Sequence, residues 1–382
     1  MENKQYRIAL VIKTDGLEYD DRVRKEILTV QKLFPNISFK IYAMLPNNDE
    51  IEGVTGYGIP YKTVFIPARE KYPSAQKPYL KAYQFYKVLK NELKDYDVVW
   101  AANEDTSFFP LLLKHDRILW DLHELPDSYF TSKWKKLLLK FLFKRCKEVL
   151  HANPQRVNYL QQLGVIKDVN KHFAVRNYPN FEDVDENYDD KYYNFIKWKG
   201  NRNCVYLQGL NADRRAPYES ISAVMAIPDL CAVVVGGFDS NAMKKLEEKY
   251  SDELGKRILF IGKIPQLKIP QYVRQCYVSL VFYKNVSPNN YYCEANRFYQ
   301  SVIMGLPVVV GNNPSMRELV EKYKFGVSID DDGSNIEKIV EGIKTVIYNY
   351  LSYKDNILNN KSHLLWENQE SLFKEIVSIL FK

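Results

Sequence analysis

Cysteine is scarce in this sequence and metal-type spacing is absent. The five cysteines are widely scattered, with no Cys-x-x-Cys pair. That argues against a zinc ribbon, a dithiol redox motif and a disulfide scaffold, and leaves buried, reduced thiols as the expectation. Long apolar runs are missing too. No uninterrupted stretch approaches the roughly 20 residues of a membrane span. The run Ile8-Ala-Leu-Val-Ile12, behind a charged hexapeptide, is too short for a signal-peptide core. A cytoplasmic location is the expectation. Glycine is low, at 16 of 382 residues, and no internal repeat or low-complexity tract stands out. The net charge of +7 is mildly basic. The basic residues fall on helical patterns without a recognisable nucleic-acid module, so no nucleic-acid partner is expected.

What is present is a chain of 46% apolar and 26% charged residues, long enough for two cores. Short apolar runs alternate with amphipathic helical patterns, which points to parallel α/β layers. In the first half, strands are expected at 7–12, 38–44, 63–66, 98–101, 118–121, 148–152 and 172–175. Val23, Ile27, Val30 and Leu33 mark a helix between the first two. Residues 181–199 turn acidic and then rich in Tyr and Lys, and read as the crossing between domains. A second strand series follows at 204–207, 230–235, 258–261, 278–282, 308–310 and 326–329, with helices at 337–350 and 371–381. The runs are continuous rather than alternating, as when helices cover both faces of a sheet. In such sheets ligands sit beyond the carboxyl ends of the strands, and with two domains the cleft between them is the default site.

Unusual residues gather in the loops after these strands. Asp20-Asp-Arg-Val-Arg-Lys-Glu26 opens the first helix, and Trp120-Asp-Leu-His-Glu124 follows the fifth strand. Leu207-Gln-Gly209 leads to Asp213-Arg-Arg215, and Phe260-Ile-Gly-Lys263 ends a later strand. Most informative is Cys293 to Val310: a polar loop, a short helix, a Gly-x-Pro turn and a β-branched strand. Glu294, Asn296, Arg297 and Gln300 crowd its loop-to-helix junction. A helix N-terminus offers unpaired N–H groups and a positive dipole end, a seat for a diphosphate.

This ordered set resembles glycosyltransferase family 4, a retaining GT-B family of the capsule and lipopolysaccharide type, over about residues 6 to 330. The resemblance implies a GT-B α/β fold, two Rossmann-like domains facing a central cleft. Residues 1–180 would bind the acceptor, with the last helix (366–382) packing back on them, and 181–365 the nucleotide-sugar. It implies a metal-independent hexosyltransferase using a UDP or GDP sugar as substrate, with no cofactor. The acceptor would be a hydroxyl of a lipid-linked or growing bacterial surface glycan.

Residue by residue, His123 matches the family histidine that orients the donor sugar; a turn histidine held by Asp121 or Glu124 is the structural alternative. Arg215, or its neighbour Arg214, would neutralise the diphosphate, six residues after Gly209. Two cations at a helix start are disfavoured without an anion. Gly16 would lie near the donor phosphate, or is an ordinary turn glycine. Lys263 would flank the base. The family's two carboxylates fall here on Tyr292 and Gln300. Gln300 can still bond ribose hydroxyls as a neutral amide, while Asn296 and Arg297 approach a variant form of the motif. Glu294 either supplies the displaced carboxylate or only favours the helix start. These lost carboxylates keep a second reading open, a catalytically impaired GT-B partner subunit. Asp330-Asp-Asp332 imitates a metal-binding motif, but its setting reads as a solvated turn.

Residues 132–150 read as one basic helix with Lys136, Lys140, Lys144 and Lys147 in a stripe and Trp134, Leu138, Phe141, Leu142 and Val149 on the apolar face. Such a helix either packs normally with a solvated lysine face or lies in an anionic membrane interface. With the Lys/Tyr-rich helix expected at 77–94, peripheral contact with the inner face of the cell membrane is the expectation.

Overall fold

A computed structural model describes residues 4–14, 16–17, 20–72, 76–180 and 185–382. It divides into two compact units. Unit 1 is Met1–Asn177 with Gln369–Lys382, and unit 2 is Tyr178–Asn368. The start of the expected crossing, 181–184, lies outside the described residues; the rest of it contains the helix Asp190–Lys199.

Unit 1 carries β1 (Tyr6–Ile12), β2 (Ile37–Ala43), β3 (Glu52–Val54), β4 (Pro60–Thr63), β5 (Val98–Ala102), β6 (Ile118–Leu122), β7 (Glu148–His151) and β8 (His172–Ala174). They form an eight-stranded sheet in the order β3-β4-β2-β1-β5-β6-β7-β8. Every pairing is parallel except β3 with β4. The central strands are buried on both faces, which is why their sequences are unbroken apolar runs. The edge hairpin β3–β4 is short and only partly buried, so no apolar run announced it. The strand expected at 63–66 ends instead at Thr63, because the chain must leave the sheet before Pro67 opens a short helix.

The last helix, Glu370–Leu380, completes this unit. Phe373 stacks on Trp100, Phe381 contacts Tyr6 at 4.2 Å between ring centroids, and Lys32 pairs with Glu370 at 2.6 Å.

Unit 2 carries β9 (Asn203–Leu210), β10 (Leu230–Phe238), β11 (Ile258–Gly262), β12 (Val278–Val281), β13 (Val308–Val310) and β14 (Gly326–Ser328). All pair in parallel, in the order β11-β10-β9-β12-β13-β14. The strand order reverses direction between β9 and β12, and between β1 and β5 in unit 1. Beyond the carboxyl ends at such switch points lie the crevices where α/β sheets take ligands.

Residues 132–150 are not one helix. The helix is Lys133–Arg145, and residues 148–151 are β7. Val149 is therefore a sheet residue and not part of an amphipathic face. The helix buries Leu139, Leu142 and Phe143, while Trp134 (71% exposed), Leu137 (56%) and Phe141 (48%) face outward. Among the described residues, no helix is long and apolar enough to cross a membrane.

Candidate functional site

In unit 2 the switch point is held by one arginine. Helix Asn296–Ile303 presents Arg297 inward, where its Nη1 donates to Gln208 O at the end of β9 and its Nη2 to Phe282 O just after β12, both at 2.9 Å. The guanidinium also lies over the Tyr283 ring, 5.0 Å from its centroid. Arg215 approaches the same ring at 5.6 Å and donates through Nη1 to Gly209 O at 2.5 Å. Gly209 has φ +59°, and an added Cβ would sit 3.1 Å from Arg215 Nη1, so glycine is required for this turn. Lys284 fixes the turn that carries Arg215 by pairing with Asp213 at 3.0 Å and Glu219 at 2.9 Å.

Two guanidiniums thus flank one tyrosine ring. Each keeps a buried Nε–H with no acceptor among the described residues. Burial pulls the Arg297 guanidinium below its usual range, the Tyr283 ring opposes, and the charge of Arg215 adds to the fall. Excess positive charge and orphan donors at a strand-end crevice fit an anion.

The other expected residues fall as follows. Gly16 lies half-buried after β1; Arg214, Lys263 and Asn296 are exposed on their loops or helix start. The helix cap residue Ala295 gives no side-chain capping bond. Glu294 accepts a hydrogen bond from Tyr299 Oη, whose ring packs edge-on against Tyr178. Gln300 keeps a buried Oε1 that accepts no hydrogen bond among the described residues. Arg297, Arg215 and Gly209 therefore converge on the β9–β12 crevice. Asp331 and Asp332 spend their carboxylates on the backbone amides of Gly333, Asn335, Asn285 and Ser334, as a turn does. Tyr283 and Lys284 were not anticipated; the Phe-Tyr-Lys run ending a strand is their only sequence trace.

His123 belongs to unit 1. Its Nε2 lies 3.1 Å from Asp121 Oδ2. Arg22, on the helix Asp21–Leu33, donates through Nη2 to Asp121 Oδ1 at 3.0 Å and through Nη1 to Val175 O at 2.9 Å. Its Nε lies 3.0 Å from Glu26 Oε1, one helical turn on. Arg156 pins the loop by donating to His123 O at 2.5 Å and to Glu124 at 2.9 Å. Burial acts to raise the Asp121 carboxyl, but Arg22 and His123 outweigh it and hold it well below the usual carboxylate range. Glu26, Asp121 and His123 offer ligand atoms within 4.8 Å of one another, the set a metal would want. The Arg22 guanidinium already supplies the cation there. The structural pairing expected for His123, with Asp121, is present through Nε2.

No family model matches the sequence, and no curated protein matches it. Solved structures do. The sucrose-phosphate synthase from Thermosynechococcus elongatus is similar over 99% of both chains at 16% identity, with a TM-score of 0.79. The chain has the GT-B fold. Anabaena HepE in complex with UDP-glucose is a further GT-B match, at TM-score 0.72 and 13% identity over 98% of this chain and 100% of that one. WaaG, described as a glycosyltransferase of lipopolysaccharide biosynthesis, is a third, at 0.65 and 13% over 96% and 99%. Within this GT-B chain each of the two sheets carries one of the clusters described above.

Proposed function

We propose that this chain is a glycosyltransferase that takes a UDP or GDP sugar and passes the sugar, with retention, to a hydroxyl of a lipid-linked or growing bacterial surface glycan. The observation that carries the donor class is the Arg215–Tyr283–Arg297 stack at the β9–β12 switch point, with its two orphan N–H donors. Charge that develops on a departing diphosphate is best stabilised by donors already in place, and fixed guanidiniums do this without a metal. The start of helix Asn296–Ile303 adds a dipole of the same sign. Gln300 is assigned to ribose hydroxyls, Lys263 to the base, and Glu294 and His123 to the sugar. The GT-B neighbours support the reading, one of them complexed with UDP-glucose and one named for lipopolysaccharide biosynthesis.

The acceptor assignment is supported by the outer surface of unit 1. Trp134, Leu137 and Phe141 form an exposed apolar stripe at helical spacing, beside Lys133, Lys136 and Lys140. Leu112 is exposed on the helix Phe108–Leu112 packed next to it, and Tyr79, Leu80 and Tyr83 on the helix Pro78–Leu89 beyond that one. An apolar stripe with flanking lysines suits an anionic lipid surface, where each lysine contributes about 1 kcal/mol. Vesicles of phosphatidylglycerol should bind the chain and blue-shift Trp134 fluorescence, with Trp134→Ser abolishing the shift. Equal binding to neutral phosphatidylcholine vesicles would remove the lysines from the argument.

The function is tested by calorimetry with UDP and GDP, and by turnover of a panel of nucleotide-sugars in wild type, Arg215→Met and His123→Ala. Binding without turnover would favour the impaired partner subunit; no binding at millimolar nucleotide would overturn the donor site.

A further inference from the structure

The ion-pair cluster of unit 1 holds one carboxyl group more than its cation can answer. Arg22 faces both Asp121 and Glu26, and both acids are fully buried. Asp121 is served twice, by Arg22 Nη2 at 3.0 Å and by His123 Nε2 at 3.1 Å. Glu26 has only the nearby Arg22 Nε. That N–H does not point at it, and neither Glu26 oxygen accepts a hydrogen bond from an N–H among the described residues. With the His123 ring neutral, two ionised carboxylates beside one guanidinium would leave a net negative charge in the interior, at a cost of several kcal/mol. A proton on Glu26 removes that charge, and its O–H then has an acceptor in Asp121. Burial and the charge of Asp121 push the Glu26 carboxyl well up, against the pull of Arg22. The other charged or titratable groups around the cluster include Asp20 at the helix cap, Lys25 on the same helix, His151 on β7 and Arg156.

We propose that Glu26 is a positioning residue for His123: as a neutral acid it donates to Asp121, which holds the His123 ring by Nε2 and turns Nδ1 toward the ligand. The inference rests on reading His123 as part of the site. It assigns a role in the proposed transfer to a residue that touches neither sugar nor nucleotide.

The test is a histidine-resolved NMR titration of the full chain, with His123 assigned by its loss in His123→Gln, run beside nucleotide-sugar turnover. Glu26→Gln keeps a hydrogen-bond donor toward Asp121 and adds no charge. It should leave the His123 midpoint within about 0.2 pH unit of wild type and turnover within about twofold. Glu26→Leu removes the donor. Asp121 then pulls harder on the imidazole proton, so the midpoint should rise by about half a unit. Turnover should fall about tenfold with KM for the donor unchanged. A His123 midpoint that drops in Glu26→Gln would show an ionised Glu26 and overturn the proposal, as would Glu26→Leu titrating like wild type. If Glu26→Leu does not fold, Glu26→Gln alone decides. If the wild type turns over no nucleotide-sugar, the glycosyltransferase reading fails, while the His123 titration still settles the role of Glu26.

Discussion

Arg215 and Arg297 look alike in the sequence, each a basic residue at the start of a helix, and the structure gives them different duties. Arg297 is nearly fully buried and joins the ends of β9 and β12 through two carbonyls. Replacing it with Met removes two charge-assisted hydrogen bonds and should cost unit 2 about 3 kcal/mol, read as a lower urea midpoint with unchanged slope. Arg215 has one carbonyl partner and a more open position. Arg215→Met should leave the urea midpoint nearly unchanged and weaken UDP binding by about 30-fold, roughly 2 kcal/mol. The sequence showed each cation within its own motif, because motif spacing is local. It did not show that Arg297 turns inward, since that depends on Phe282 and Gln208, which reach the same place only through sheet pairing. The Arg22–Asp121 pair was hidden for the same reason: both residues stood in motifs noticed separately, 99 positions apart.

Among elements, β7 and β8 carry opposed responses to pH. His151 Nε2 meets His172 Nδ1 at 2.9 Å, and the rings are stacked. Burial lowers both, His172 to about 4. Their folded values lie below the unfolded value near 6.5, so the unfolded chain binds more protons between those limits. Stability should fall as pH drops from about 6.5 to about 4, on the order of 2–3 kcal/mol from His172, in urea titrations across that range. Glu148 at the start of β7 behaves in the reverse sense. Burial raises its carboxyl to about 7, opposed by Lys171 and Lys147. Stability associated with its proton is present below about 4.5 and is lost as pH rises through about 7. Glu148→Gln should therefore stabilise unit 1 at pH 8, by about 1–2 kcal/mol, and change little at pH 4. Central strands such as β5 and β6 were legible because continuous apolar runs have one explanation there. The basic helix was legible only in part: Lys133–Arg145 and β7 share one uninterrupted apolar-and-basic pattern. Periodicity alone does not show where the chain leaves the helix at Cys146 and enters the sheet.

For the whole molecule, the division into two α/β units followed from two strand series. The return of the last helix came from family resemblance rather than from any local pattern. That helix buries Phe373, Ile376, Val377 and Leu380. Phe373→Ala should cost about 3–5 kcal/mol. In a calorimetric scan the loss should appear in the unit 1 transition and spare that of unit 2. A chain ending at Asn368 should keep a folded unit 2, seen as retained protease resistance, while unit 1 is digested. Equal resistance of both units would show that the helix is dispensable.

Because Gln369–Lys382 belongs to unit 1, the order of synthesis and the order of completion differ. On the ribosome, all of unit 2 is made while the flank of unit 1 around Tyr6 and Trp100 still lacks its cover. Unit 1 is finished after unit 2, and every nascent copy carries an unsealed apolar face until Gln369–Lys382 has been made.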